Sequence, residues 1–86
     1  MNRLGLGEFH AFTAGGSEFL YLVPSAAVFQ LDAASAAVLA ELRAGPAEVG
    51  GLLERLTPRF RASEVHDAIV ELRDVRAIRE EGRYAA

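Results

Sequence analysis

The sequence predicts an α+β fold, close to a winged helix-turn-helix, in which a three-stranded antiparallel sheet is followed by three helices. Three observations predict it. Short segments with strand periodicity fill the first third of the chain. The spacing of apolar residues changes at Asp32, and helical periodicity follows it. With 86 residues, positions 1–86 are expected to form a single domain.

The strand segments are separated by turn residues. Gly15 and Gly16 accept a positive φ and predict a tight hairpin, and Pro24 with Ser25 predicts a second break. The middle segment, "FLYLV", is continuously apolar and predicts a strand buried on both faces. The third strand of such a meander has an open outer edge. The three predicted strands are Glu8–Ala14, Phe19–Val23 and Ala26–Leu31.

Helix signals follow Asp32, whose carboxylate is well suited to cap Ala33–Arg43. Pro46 is expected to open a second helix. In that helix, the pair Gly50–Gly51 indicates either a weak helix or a close crossing with a neighbour. Ser63 is expected to cap a third helix. After it, Val75 and Ile78 continue apolar burial at the helix end or in a short returning strand, and the polar end "REEGRYAA" is expected to fray.

The composition argues against catalysis by this chain. It has no Cys, which excludes thiolate chemistry and Cys-ligated iron–sulfur clusters and fits a reducing, cytoplasmic location. The two histidines, His10 and His66, lack metal-ligand spacing, and neither a phosphate-binding glycine loop nor a Ser–His–acid set stands out. We therefore expect no enzyme activity, no cofactor and no metal. No apolar run reaches the roughly 20 residues that span a bilayer, so no membrane association is expected.

Two binding surfaces are predicted. The open edge of the third strand can accept a peptide as a further strand, or it can be covered by loops or by a second copy in a homodimer. A winged helix could instead bind DNA through its third helix. That helix carries four acids, and the net charge of the chain is −3. Because phosphate neutralisation dominates DNA affinity, no nucleic-acid partner is expected, and DNA binding stays the alternative.

The residues resemble a known family. "VFQLD", running into an Ala-rich helix and two shorter amphipathic helices, resembles the precursor-peptide recognition element of ribosomal-peptide biosynthesis, typified by the peptide chaperone of pyrroloquinoline-quinone synthesis. More narrowly, "HAF", the Gly turn and "LVPSAAVFQLD" resemble the opening segment of thioether-forming radical SAM maturases of the quinohemoprotein amine dehydrogenase type. The resemblance covers Glu8 to Arg79.

The resemblance implies that the chain captures the leader segment of a precursor peptide as a strand and presents it to a radical SAM maturase. The implied strand edge is Ala26, Ala27, Val28, Phe29, Gln30 and Leu31, and the implied helical wall is Val65, His66, Ile69, Leu72 and Arg73. By alternation, Phe29 and Leu31 are expected in the core and Val28 and Gln30 nearer the ligand, although a register shift of one would exchange them. For the three apolar residues of the wall, core burial and peptide contact both remain open.

The family's maturases carry a Cys-rich cluster motif, and this chain has no Cys. The catalytic domain is therefore expected elsewhere, either fused to this one or in a separate partner. S-adenosylmethionine and the iron–sulfur clusters would belong to that maturase.

Overall fold

The computed structural model describes residues 3–23 and 25–81, and the predicted break at Pro24 lies outside them. It confirms the α+β class, with a three-stranded antiparallel sheet followed by three helices. It also adds one short strand at each end of the described chain. The elements are β1 (Arg3–Leu6), β2 (Phe9–Ala14), β3 (Ser17–Leu22), β4 (Ala27–Gln30), α1 (Ala33–Arg43), α2 (Val49–Leu56), α3 (Ala62–Asp74) and β5 (Ile78–Glu81).

The main sheet is an antiparallel meander in the order β2-β3-β4. One face of it packs on the helices through side chains such as Leu20 and Leu22, which are buried. The prediction that the middle strand is buried on both faces is wrong. Tyr21, on the other face of β3, is exposed, because no described element covers that side of the sheet.

The hydrophobic core lies between the helices and the inner face of the sheet. The largest fully buried side chains are Leu20, Leu39, Leu52, Leu56, Ile69, Leu72, Ile78, Val38 and Val65. Helix α1 packs against α2, α3 and β1, and helix α3 packs against α1, α2 and β5. Burial of these nine large side chains supplies the main driving force for folding a domain of this size.

A second, two-stranded sheet joins the two ends of the described chain. β1 pairs antiparallel with β5, with Leu6 opposite Ile78 and Arg3 opposite Glu81. Ile78 was predicted to lie either at the end of the third helix or in a short returning strand, and it lies in the strand. The expected fraying is wrong for residues 79–81, which lie in β5, while residues 82–86 lie outside the described part of the chain.

Helix α1 forms at the predicted residues, and Asp32 caps it. The Asp32 carboxylate accepts a hydrogen bond of 2.8 Å from the backbone N–H of Ser35, which satisfies one donor of the first turn. The cap ends β4 and redirects the chain within two residues. The end of β4 is therefore fixed directly against the start of the helical layer.

Helix α2 begins later than Pro46, so the predicted opening of the second helix is wrong. Ala47 pairs with Leu4 through two backbone hydrogen bonds, of 2.7 and 3.0 Å, and extends the small sheet by one residue. That pairing holds the backbone extended, and the helix starts only at Val49. No neighbour approaches the Cβ position of Gly50 within 4 Å, so the glycine pair does not mark a close crossing.

Helix α3 begins at Ala62, one residue before its predicted cap at Ser63, because the capping contact comes from another side chain. The Glu64 carboxylate accepts a hydrogen bond of 3.0 Å from the backbone N–H of Arg61. Arg61 is therefore the N-cap residue, and Ser63 lies within the first turn.

The end of α3 has the hydrogen bonds of a Schellman motif. The N–H of Arg76 donates to the carbonyl of Arg73 at 3.0 Å, and the N–H of Ala77 donates to the carbonyl of Leu72 at 2.9 Å. Arg76 has a φ of 67°, in the left-handed region that favours glycine. This motif turns the chain from α3 into β5.

We expect Arg76→Gly to raise the free energy of unfolding by about 1 kcal/mol, since it removes the left-handed strain of a side-chain-bearing residue. Urea denaturation measures the change. Arg76→Ala is the control, because it removes the guanidinium and keeps the strain. An equal gain in both variants would show that charge, and not backbone conformation, is responsible.

Candidate functional site

The outer edge of β4 has free backbone hydrogen-bonding groups. Within the described residues β4 pairs only with β3, with Tyr21 opposite Val28 and Phe19 opposite Gln30. The N–H of Leu31 donates to the carbonyl of Glu18 at 2.9 Å, which fixes the alternation of the ladder. Hydrogen bonding alternates along an antiparallel strand. The N–H and C=O groups of Val28 and Gln30 therefore point away from β3, toward the open edge.

The side chains of β4 follow the predicted register. Phe29 and Leu31 are partly buried and pack against the core, and Val28 and Gln30 are exposed on the other face. The alternation predicted for these four residues is confirmed. Ala27, the first residue of β4, is also exposed.

Ala26 lies in the turn that precedes β4. Its φ is 58°, and its N–H donates to the carbonyl of Leu22 at 2.7 Å. The open edge therefore starts at Ala27, one residue later than predicted, because this turn closes on Leu22.

Val28 belongs to an exposed apolar row that crosses the sheet. It is 59% exposed and lies opposite Tyr21, which in turn lies opposite His10. The rings of His10 and Tyr21 stack with their centroids 6.5 Å apart, and those of Phe12 and Phe19 stack at 5.4 Å. A strand added at β4 would extend this face and give its own side chains apolar neighbours.

The outer edge of β2 also lacks a strand partner in the part of the chain that the structure describes. The N–H of Val23 donates to the carbonyl of Glu8 at 3.3 Å, so by the same alternation Ala11 and Thr13 direct their backbone groups outward. The three-stranded sheet therefore has two open edges, and an experiment on strand addition has to distinguish them.

Helix α3 presents only part of the predicted wall. Val65, Ile69 and Leu72 are at most 2% exposed and belong to the core, so their side chains are closed to a ligand in this conformation. His66 and Arg73 are exposed, and Arg73 forms an ion pair of 3.0 Å with Glu80. The i, i+3, i+4, i+7 stripe in α3 is thus the stripe that packs the helix onto the domain.

A cleft of about 320 Å³ separates the start of α1 from α3, and we call it the α3 cleft. It lies near the end of β4, because Asp32 is two residues beyond Gln30, the last residue of that strand. Its wall on the side of α1 is Asp32 with two alanines, and its wall on α3 is mostly acidic. The lining residues are Asp32, Ala33, Ala34, Phe60, Glu64, Asp67, Ala68 and Glu71.

The acids of α3 form one continuous stripe, which the sequence-based site did not include. Glu64, Asp67, Glu71 and Asp74 are spaced by three, four and three residues, so they lie on one face of the helix, and all are exposed. The signal was present in the spacing. What the sequence alone did not reveal is that this face borders a cleft next to β4.

A larger cleft, of about 560 Å³, lies between the inner face of the β2–β3 hairpin and α1. Small side chains line its helical side, including Ala36, Ala37 and Ala40, and Arg43 and Arg59 also line it. Arg59 lies over the ring of Phe60 at 5.7 Å from its centroid. Ala33 and Phe60 line both clefts, which therefore meet at the start of α1.

In residues 3–23 and 25–81, no three His, Asp or Glu side chains are grouped as a metal site would require. Over the same residues, each helix is too short or too polar to cross a bilayer.

Comparison of the chain with protein-family models, with curated proteins and with solved structures finds no match. The fold and the site together define an α+β domain with an open strand edge beside an acidic cleft.

Proposed function

We propose that this chain captures an extended segment of a precursor peptide by adding it as a strand to the outer edge of β4. The captured segment would be the leader of a ribosomally synthesised peptide. The observation that carries the proposal is the pair of outward-facing backbone groups at Val28 and Gln30. Main-chain hydrogen bonds at such an edge supply affinity, and side chains beside it supply specificity.

The edge is held rigid from its inner side, which supports strand addition there. Phe29 and Leu31 pack against the core, and the Asp32 cap fixes the point at which β4 ends. An ordered strand edge needs no rearrangement to accept a partner, so the ordering cost falls on the peptide. Because a disordered leader pays that cost, we expect a dissociation constant of about 1 μM or somewhat lower.

The charge of α3 favours a peptide partner over DNA. In a winged-helix protein the third helix would approach the duplex, and here its exposed face carries the acidic stripe. Four carboxylates beside phosphates oppose the term that dominates DNA affinity.

The resemblance to the opening segment of thioether-forming maturases supports a role in presenting the precursor peptide to such an enzyme. The chain would hold the leader while the rest of the precursor reaches a radical SAM maturase, fused or separate, in the cytoplasm. The chemistry of S-adenosylmethionine and of the iron–sulfur clusters would take place in that maturase, and this chain would act by binding alone.

Fluorescence anisotropy tests the proposal. Labelled peptides from reading frames that neighbour the gene are titrated with this domain at 0.1 and 0.5 M salt, beside a labelled 20-base-pair DNA duplex. We expect one precursor to bind with a micromolar dissociation constant that depends on salt much less steeply than DNA binding does. Binding of the duplex that falls steeply with salt, with no peptide bound, would instead favour the DNA-binding alternative.

A further inference from the structure

The acidic stripe of α3, formed by Glu64, Asp67, Glu71 and Asp74, has no cationic partner among the described residues. In residues 3–23 and 25–81, the ion pairs are Arg55 with Glu41 and Arg73 with Glu80, and neither pair includes an acid of the stripe. The polar contact of Glu64 is with the backbone N–H of Arg61. Glu64, Asp67 and Glu71 therefore present negative charge to the cleft, and none of the four acids has an ion pair among the described residues.

The stability of the helix does not account for this arrangement. Like charges three and four residues apart repel each other, and the stripe contains three such neighbouring pairs. Glu71 and Asp74 also lie in the last turn of α3, where the helix dipole disfavours negative charge. Only Glu64, in the first turn, is placed favourably.

The α3 cleft places this stripe opposite Asp32, two residues beyond the end of β4. Asp67 and Glu71 line one wall, and Asp32, the residue after the end of β4 and its extension at Leu31, lines the other. A peptide added to β4 and running past its end would thus meet carboxylates on both sides. Cations of the peptide would find there the carboxylates of Asp67 and Glu71, which have no ion pair among the described residues, beside the capping carboxylate of Asp32.

We propose, building on strand capture at β4, that the captured segment is basic and places Lys or Arg side chains in the α3 cleft. The stripe extends over about 15 Å, from the rise of 1.5 Å per helical residue, which matches about five residues of an extended strand. Alternate side chains of a strand face the same way, so the segment carries basic residues at alternate positions. Arg73 forms an ion pair with Glu80 and does not line the cleft.

A random dodecapeptide library displayed on phage tests this without knowledge of the natural precursor. The library is selected on the folded domain, and enriched peptides are synthesised and titrated into ¹⁵N-labelled protein. We expect enriched sequences to contain Lys and Arg in excess of the input library. We also expect them to shift the amide signals of both Val28 and Gln30.

Matched variants then test how much the negative charge of the α3 cleft contributes to peptide affinity. Asp67→Asn combined with Glu71→Gln is expected to weaken binding of the enriched peptides about 10-fold. Glu48→Gln combined with Glu54→Gln changes the net charge equally at exposed positions on the α2 side of the chain. This control is expected to weaken binding by less than about 2-fold, by screening of distant charges.

The outcomes separate the two proposals. Some peptides could shift the amide signals of Val28 and Gln30 but show no excess of Lys and Arg, or bind the Asp67/Glu71 variant equally well. Either result would overturn the proposal of a basic segment and leave strand capture at β4 supported. If enriched basic peptides leave the amide signals of Val28 and Gln30 unchanged, they bind through charge alone. That result would overturn strand capture at β4. Failure of any peptide to be enriched overturns both proposals.

Discussion

Gly7→Ala is expected to lower the free energy of unfolding by about 2 to 3 kcal/mol, the cost of forcing an extra carbon into a packed site. A Cβ atom on Gly7 would overlap the carbonyl oxygen of Arg76 and lie 3.2 Å from that of Ala77. Both obstacles are backbone atoms. The N–H of Gly7 also donates to the carbonyl of Ala77 at 2.8 Å, so neither chain can move away without losing that bond.

The expected loss is a large share of the stability of a small domain, which is typically about 5 kcal/mol or somewhat more. Urea or thermal denaturation measures it. Gly50→Ala is the matched control, because its Cβ has open space within a helix and the change is expected to stabilise by up to about 1 kcal/mol. An unchanged midpoint for Gly7→Ala would contradict the close approach of Gly7 to the backbone of Arg76 and Ala77.

Val28→Pro is expected to weaken peptide binding by about 10- to 100-fold while the domain stays folded. Proline removes the N–H that points to the open edge and leaves an acceptor of the bound peptide without its donor, which costs about 1 to 3 kcal/mol. The β3–β4 ladder survives, because the N–H groups of Phe29 and Leu31, and not that of Val28, point toward β3.

Val28→Thr is the control for this variant. Threonine keeps the N–H and the β-branched shape and changes only the polarity of an exposed side chain. We expect its affinity to stay within about 3-fold of the parent, in line with the small effects of exposed substitutions. Affinities from fluorescence anisotropy and near-native circular dichroism would be compared for both variants. Equal binding by the proline variant would contradict strand addition at β4.

Local signals explain why part of the fold was predictable. Helix α1 was predicted residue for residue because Asp32 caps it and Ala44–Gly45 ends it, and both signals lie beside the helix in the sequence. The inward side chains of Phe29 and Leu31 followed from alternation alone, since the period of a strand is two.

Long-range pairing explains what was missed. β1 is a four-residue strand whose partner, β5, lies some 70 residues away, and nothing in "RLGL" identifies that partner. The start of α2 was missed for the same kind of reason, because it is delayed by the backbone bridge between Leu4 and Ala47, two residues far apart in the sequence. The α3 cleft likewise depends on packing of α3 beside the start of α1, which the acid spacing of α3 alone does not specify.

The most direct test of strand capture is amide hydrogen exchange at residue resolution, with and without the bound peptide. Without peptide, the amides of Val28 and Gln30 should exchange quickly, and that of Phe29, which is bonded to β3, should exchange slowly. With peptide, Val28 and Gln30 should become protected while Ala11 and Thr13, on the outer edge of β2, stay unchanged. Protection at Ala11 and Thr13 instead, or no new protection at Val28 and Gln30, would contradict capture at β4.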